Sequence, residues 1–277
     1  APSPAGVLMA VGMMNCSLYA LLRVHIVSRA VLGPEFSGQL LLGLGLASVL
    51  VATPFILIQW NLKRLLAYSS IEHVGIMAIG FGLGGEAATL GALLHMTYHT
   101  FAKPVAFLSA GTLAQLHRSS DFDAIGGGTL SRTPVASGLL LLGTLMVTGS
   151  PPFGLFWSEM TILKAGFFGP HLAVVAVFLA ALVVLFCGFF YQVGRLVLGE
   201  GPGLLRGEGS WASAQDKPGL TPAADGRPLD HPVLPERLDL ALGTTVIAAA
   251  IAVISAFYLP APLVALVRAA VRVVEGT

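Results

Sequence analysis

The stretch VASGLLLLGTLMVTGSPPFGLFWSEMTILKAGFF, from Val135 to Phe168, decides the fold. As one straight α-helix these residues would be about 51 Å long, whereas the hydrocarbon core of a bilayer is about 30 Å thick. Pro151 and Pro152 each remove a backbone donor and clash with the preceding turn, so we expect the helix to break at Gly149-Ser150-Pro151-Pro152. A break at membrane depth is tolerated where it is buried in protein or lines a wet cavity, and ion transporters use such broken helices.

The rest of the chain has the composition of a membrane protein. Of its 277 residues, 55% are apolar and 10% are charged, and the mean hydropathy is +0.83, whereas a soluble domain has roughly 25% charged residues. Pro104 is expected to kink the fourth span. The sequence predicts an all-α polytopic transmembrane helix bundle with one or two discontinuous or kinked helices and about seven spans: Gly6 to Ile26, Leu40 to Ile58, Leu65 to Leu83, Ala87 to Leu116, Val135 to Phe168, Leu172 to Leu198 and Leu238 to Tyr258.

Several classes of function are excluded. The net charge of +1 leaves no basic arm for nucleic acid, so no nucleic-acid partner is expected. Cys16 and Cys187 lack the spacing of metal ligands and are predicted to be small buried apolar residues, so we expect no metal site, no disulfide and no cofactor in this chain. No signal peptide is visible. We expect the chain to be an internal or C-terminal part of a longer protein, or one product of a split gene.

Three regions follow from the pattern. Residues 1–198 are predicted to hold the channel helices, 199–236 a flexible polar loop rich in Gly and Pro, and 237–277 a C-terminal transmembrane helix and tail. Cations concentrate on the side reached after the second, fourth and sixth spans, which predicts a cytoplasmic loop in an inner-membrane protein. That side holds Lys63, Arg64, Arg118, Arg132, Arg195, Arg206, Lys217, Arg227 and Arg237, against Arg23, Arg29, Arg268 and Arg272 on the other.

The fourth span carries a stripe of titratable side chains. His95, His99 and Lys103 are four residues apart, and each step on an α-helix turns by about 40° and rises about 6 Å, so the three share one face. A charge at the bilayer centre costs at least about 2.5 to 3.5 kcal/mol, and such residues mark ion pathways. We interpret the stripe as a proton relay, because histidine and buried lysine both exchange protons near neutral pH. The alternative is a static hydrogen-bonded core.

The fifth span adds two charged side chains. Glu159 follows the proline break by two turns and is expected to lie within reach of Lys103, where it needs either a partner or a proton. A stepwise conductor alternates between those two conditions, whereas a static ion pair is the structural alternative. Lys164 either belongs to the pathway or extends its ammonium group to the membrane interface.

The third and first spans add further candidates. Glu72 and His73 are adjacent, so they point to different sides of their helix, and both are candidates for the pathway. Asn15 is a neutral polar group deep in the first span, either part of the pathway or a helix-to-helix hydrogen bond.

Three motifs resemble one known family. NLKRLLAYSSIEHVG (61–75), LHMTYHTFAK (94–103) and PPFGLFWSE (151–159) resemble the antiporter-like subunits of respiratory complex I, multisubunit sodium/proton antiporters and membrane-bound hydrogenases. The run from Ser70 to His73 and the segment from Ile162 to Gly166 are most similar to the hydrogenase-4 component F branch, found with nickel-iron hydrogenases and formate hydrogenlyase.

The resemblance implies more than the residues alone. It implies that this chain is the C-terminal part of a roughly fourteen-helix protein with two inverted halves, each holding a proton half-channel. Asn15 stands where the complex I M-type subunit has a lysine, which departs from the family pattern, and Glu159 fits the exit of the half-channel.

The resemblance also implies a function and partners. The chain would be a proton-translocating membrane subunit beside other membrane subunits and a peripheral redox module, and the family's N-terminal helices would either be lost from this chain or be supplied by a separate chain. No catalytic centre is expected here, so electron chemistry would belong to the partners. The alternatives are a subunit of a cation/proton antiporter or of an inorganic-carbon uptake system, and a scaffold that conducts no ions.

Overall fold

The computed structural model describes residues 3–199 and 240–276. Every regular element in those two ranges is a helix, which confirms the all-α prediction. The helices are α1 Ser3–Val7, a π-helical segment Leu8–Met13, α2 Met14–Leu32, α3 Pro34–Leu57, α4 Leu62–Leu83, α5 Gly85–Leu116, α6 Phe122–Ile125, α7 Thr129–Arg132, α8 Pro134–Val147, α9 Gly154–Phe167, α10 Leu172–Leu198, α11 Leu240–Phe257 and α12 Ala261–Glu275.

Each expected membrane span corresponds to described helices, and the chain is a multi-pass membrane protein. Five helical stretches are long and apolar enough to cross a bilayer: Ser3–Leu32, Glu35–Leu57, Leu62–Leu83, Leu172–Leu198 and Leu240–Phe257. The fourth expected span is α5, whose polar stripe makes it less apolar than these. The predicted polar loop 199–236 lies outside the described residues apart from Gly199, so the three predicted regions stay a prediction.

The fifth expected span is broken, as its prolines predict. Helix α8 ends at Val147 and α9 begins at Gly154, and the turn between them contains a cis peptide bond from Pro151 to Pro152. Gly149 in this turn has a φ of +64°, which favours glycine because a Cβ atom there is strained. The break therefore makes two half-helices, each too short to cross the membrane alone.

Helices α3 and α4 approach each other closely because glycines face each other. A Cβ atom added to Gly45 would lie 2.7 Å from the carbonyl oxygen of Gly75, and one added to Gly75 would lie 2.7 Å from the carbonyl oxygen of Gly45. Two turns further along α4, Gly82 packs in the same way against Gly38 and Leu42 of α3. Small residues at such positions let the backbones of two membrane helices come into contact. This contact holds α4 in the bundle.

Helix α5 lies at the centre of the bundle. It packs against α4, α8, α9, α11 and α12. It runs without interruption through Pro104, so the proline that was expected to kink this span does not divide the helix. Helices α4 and α5 carry five of the seven buried histidine, glutamate and lysine residues among the described residues, so their interface is the place to look for a polar pathway.

The two cysteines correct one prediction. Cys16 and Cys187 are both free thiols and both exposed, whereas the sequence analysis predicts that they are buried. The error has a physical cause: in a bilayer an apolar side chain is equally stable against lipid and against protein, so hydrophobicity does not decide which side of a helix faces inward.

Helix α12 lies in the region that was predicted to be a tail. Its apolar face buries Val267 and Val271, and it packs against α5 and α2. Arg29 of α2 donates to the Glu275 carboxylate at 3.0 Å, and the Thr89 hydroxyl of α5 donates to the other oxygen of that carboxylate. The end of the chain is thereby joined to α2 and α5.

The connections on the opposite side of the bundle are held by a helix cap. The Asn61 side chain accepts from the backbone N–H groups of Lys63 and Arg64 at 3.1 and 3.2 Å, so Asn61 caps α4. It also donates to Asp121 at 2.8 Å.

At the end of α5, outside the spans, His117 is half-buried, and burial together with the Arg132 guanidinium lowers its pKa to about 4.

Candidate proton pathway

A chain of hydrogen bonds joins three helices at the centre of the bundle. The Ser158 hydroxyl of α9 donates to the carbonyl oxygen of Leu155 at 2.7 Å, so its oxygen accepts from Nδ1–H of His95 at 3.0 Å. In neutral His95 the Nε2 atom then carries the lone pair and accepts from Nδ1–H of His73 at 2.9 Å. The tautomers are assigned from this network. The result is an ordered path of donors from α4 through α5 to α9.

The α4 end of this chain is open. Nε2 of His73 carries a lone pair in this arrangement and has no hydrogen-bond partner among the described residues. His99 is fully buried, neither of its ring nitrogens has such a partner, and its ring centroid is 4.7 Å from that of His73. Buried polar atoms are nearly always hydrogen-bonded, so unpaired imidazole nitrogens at this point indicate a site that exchanges protons or holds water.

Lys103 completes the predicted stripe on the same face of α5. It is fully buried, and its Nζ donates to the Ser69 hydroxyl at 2.6 Å and to the carbonyl oxygen of Leu66 at 3.2 Å. Its Nζ is also 5.9 Å from the centre of the Phe107 ring. The hydrogen-bond and ring partners of the Lys103 ammonium group are therefore all neutral: the Ser69 hydroxyl, the Leu66 carbonyl and the Phe107 ring.

Two carboxyl groups line a cavity at the broken helix. The cavity has a volume of about 230 Å³, which is room for several water molecules, and it is bounded by Glu72, Glu159, Thr148, Gly149 and Pro151 with apolar side chains of α10. A Cβ atom at Gly149 would collide with the Glu159 carboxylate, so the glycine leaves space for that side chain. The proline break thus lines a cavity that is mostly apolar and into which two carboxyl groups project, and a broken helix is tolerated at membrane depth where it lines a cavity or is buried in protein.

The predicted closeness of Lys103 and Glu159 is wrong. Lys103 bonds to Ser69 and Leu66 of α4, whereas Glu159 lies beside His73 and His95, with ligand-type atoms of all three within 4.8 Å of one another. Because Ser158 bonds to His95, the neighbouring Glu159 is at the level of His95, and Lys103 is two turns, or about 12 Å, further along α5. The alternative of a static ion pair between them is excluded for the same reason.

The structure divides the other candidates. Glu72 and His73 are both buried, and they point to different sides: His73 towards α5, Glu72 towards the cavity. Asn15 donates to the Thr100 hydroxyl at 2.8 Å, the helix-to-helix contact that was one of its two interpretations. Lys164 is exposed near the end of α9, away from the buried set, which matches its interfacial interpretation.

Sequence reasoning missed the hydroxyl groups. Ser158 orients His95, and Ser69 receives the shortest hydrogen bond of Lys103. Ser158 directly precedes Glu159 in the sequence, and Ser69 lies three residues before Glu72. A serine within a span is so often bonded to its own helix, however, that its position alone is a weak signal.

Sequence comparison places most of the chain in one family. Residues 1–185 match the family described as NADH:quinone oxidoreductase/Mrp antiporter, transmembrane. A hydrogenase-4 component F homolog of Methylacidiphilum infernorum (isolate V4) is 39% identical over 166 residues, which are 60% of this chain and 35% of that protein.

Two solved structures have the same fold. A chain of the archaeal membrane-bound sulfane sulfur reductase matches 99% of this chain at 24% identity with a TM-score of 0.79, and this chain spans 50% of its length. A chain of respiratory complex I from Thermus thermophilus matches 99% at 18% identity with a TM-score of 0.74, and 51% of it is covered. The chain thus spans about half the length of these structures and about a third of the hydrogenase-4 relative. The family match covers most of the chain and includes all three motifs, and on that ground the chain belongs to the NADH:quinone oxidoreductase/Mrp antiporter transmembrane family.

Proposed function

We propose that this chain conducts protons across the membrane along the buried axis of Lys103, His99, His73, His95 and Glu159. The observation that supports the proposal is the hydrogen-bonded order from His73 through His95 to Ser158, buried between three helices and next to a cavity lined by two carboxyl groups. A static core satisfies its polar atoms, whereas this axis leaves three ring nitrogens of His73 and His99 without partners among the described residues.

The steps follow from the geometry. A proton that reaches Nε2 of His73 lets that ring pass its Nδ1 proton to Nε2 of His95. His95 then carries a proton on both nitrogens and releases the one on Nε2 to the Glu159 carboxylate, one oxygen of which lies within 4.8 Å of a nitrogen on each ring. Lys103 and Glu72 set the electrostatic potential at the two ends, so a change in their charge shifts where the proton rests.

The surroundings of the chain are part of the proposal. We place it among other membrane subunits of an energy-conserving redox complex of the hydrogenase-4 or NADH-quinone oxidoreductase type, because its relatives carry those names. A peripheral module supplies the electron chemistry, and a separate chain or segment supplies the remaining helices. The membrane is the inner cell membrane with segment 199–236 on the cytoplasmic side, as the excess of Lys and Arg favours.

The test is proton flux in vesicles that hold the assembled complex. Lys103→Met keeps the buried volume and removes the charge, and Glu159→Gln keeps the shape and removes the exchangeable proton. We expect both to reduce flux to the level of empty vesicles while assembly is retained. Lys164→Met and Glu86→Gln are the matched controls, because both side chains are exposed, and they should leave flux unchanged. Undiminished acidification with either buried substitution refutes the proposal.

A second function, cation/proton exchange, is favoured by one observation: the family that matches this chain includes Mrp antiporters. The same axis serves either function. Flux that requires Na⁺ on the opposite side, together with purification free of redox subunits, would support exchange. Flux that depends on an electron donor supports the redox complex.

A further inference from the structure

Three side chains of the type that binds metals converge on one point inside the bundle. His73 of α4, His95 of α5 and Glu159 of α9 each offer one ligand atom, and those atoms lie within 4.8 Å of one another. Nδ1 of His73 and Nε2 of His95 are already 2.9 Å apart. All three residues are buried, so the group is a formed interior arrangement and not a chance meeting of surface side chains.

The ligand set selects a class of ion. Two imidazole nitrogens and one carboxylate oxygen suit Zn²⁺ and similar divalent transition metals, and they leave a fourth position open, as in sites where zinc also binds water. Ligands at bond lengths of about 2.0 to 2.2 Å around a tetrahedral ion are roughly 3.4 Å apart. The present spacings require His73 and His95 to separate slightly and Glu159 to move inward, both within side-chain rotation.

Two further features support binding. Nδ1–H of His95 donates to Ser158, which directs the Nε2 lone pair of His95 towards the group, and metal-bound histidines are oriented in this way by a partner on the other nitrogen. The cavity adjoining the group adds an attraction, because Glu72 and Glu159 both line it and both attract a divalent cation when ionised.

We propose that His73, His95 and Glu159 bind a divalent transition-metal ion, of which Zn²⁺ is the expected occupant, and that the bound ion blocks proton movement. The ion would occupy the His95 lone pair that accepts from His73, and His73 would bind it through Nδ1 with its proton on Nε2, so the hydrogen bond between the rings is lost while the metal stays. The binding site stands on the geometry alone; the block rests on the proposed function.

Cobalt tests the site without measuring transport. The purified full chain in lipid nanodiscs is titrated with Co²⁺, and visible absorption reports inner-sphere binding. We expect one ion per chain, displaced by Zn²⁺. His95→Gln or Glu159→Gln should remove the absorption band, whereas His25→Gln, which changes a buried histidine of α2 outside the group, should leave it. Ser158→Ala keeps all three ligands and should weaken binding by roughly 10- to 100-fold.

Each result decides the proposal. Absorption that survives both ligand substitutions, or that is lost equally in His25→Gln, overturns the site. Should His95→Gln fail to fold, as circular dichroism would show, Glu159→Gln and Ser158→Ala still decide it, because the loss expected of them must appear in a folded chain. Flux in vesicles separates the two proposals: binding without inhibition refutes conduction through the three residues, and normal conduction without binding refutes only the metal site.

Discussion

Replacing Ser158 with alanine tests the hydrogen-bond order at its most specific point. The substitution removes the acceptor for Nδ1–H of His95, which is fully buried. A buried donor left unpaired costs about 1 to 3 kcal/mol, which corresponds to a factor of roughly 5 to 150 in the folded-to-unfolded ratio. His95 is also freed to place its proton on Nε2, where it can no longer accept from His73. We therefore expect lower stability together with a strong loss of proton flux.

Ser109→Ala is the matched control. Ser109 is equally buried, but its hydroxyl only donates to the carbonyl oxygens of Val105 and Ala106 in its own helix, at 2.7 and 3.1 Å. Its removal leaves no buried donor unpaired, so the cost should stay near or below about 1 kcal/mol.

Two measurements decide between the variants. Denaturant unfolding of the parent chain and of each variant in one common detergent gives the change in the free energy of unfolding. The nitrogen chemical shifts of isotope-labelled histidine report the tautomer of His95. An equal loss of stability in both variants, or an unchanged His95 tautomer in Ser158→Ala, would refute the assigned order of donors.

Three further predictions concern the frame of the site. Gly149→Ala should destabilise the chain by about 1 to 2 kcal/mol because of the left-handed backbone at this position, and by more because the new methyl group collides with Glu159. Proton flux should fall as well. Gly138→Ala is the control: its methyl group meets open space within α8, so stability and flux should both be kept. Gly75→Ala should cost about 1 to 3 kcal/mol in unfolding experiments, because a methyl group there overlaps the facing backbone of α3, and an unaffected variant would show that the two helices can separate freely. The pKa of His117 is lowered to about 4 from its usual 6.5, so between those values the unfolded chain binds more protons, and stability should decline as pH falls through that window. His117→Asn should flatten this decline, which we expect to be on the order of 1 kcal/mol because the side chain is half-exposed; a decline of the same size in the variant would assign it to another group.

Much of the fold was predictable because charge is so costly in a bilayer. The predicted sixth span, Leu172 to Leu198, has the bounds of α10, and the break at Pro151 and Pro152 lies where two missing donors require it. The stripe on α5 was predictable as well, since the spacing of His95, His99 and Lys103 follows from helix geometry alone. These are local consequences of the chain.

Other features depended on how helices lie against one another. The pairing of Lys103 with Glu159 was wrong because the register between α5 and α9 is set by packing, such as the bond from His95 to Ser158, which sequence periodicity does not contain. Cys16 and Cys187 were misplaced because lipid and protein are equally apolar surroundings. Helix α12 was missed because it is amphipathic, with its apolar residues on one face, and is therefore too polar overall to be recognised as a membrane span.

By itself the sequence determined that this chain crosses a membrane several times, that one of its helices breaks at two prolines, and that a few titratable groups are buried along α4, α5 and α9. Those outcomes follow from the cost of charge in hydrocarbon and from the stereochemistry of proline. Only the tertiary structure decided which groups meet. His73, His95 and Glu159 converge because three helices cross at one level. Hydrogen bonds act over about 3 Å. The helical repeat fixes distances of that size within one helix, but it does not fix the distance between side chains on different helices.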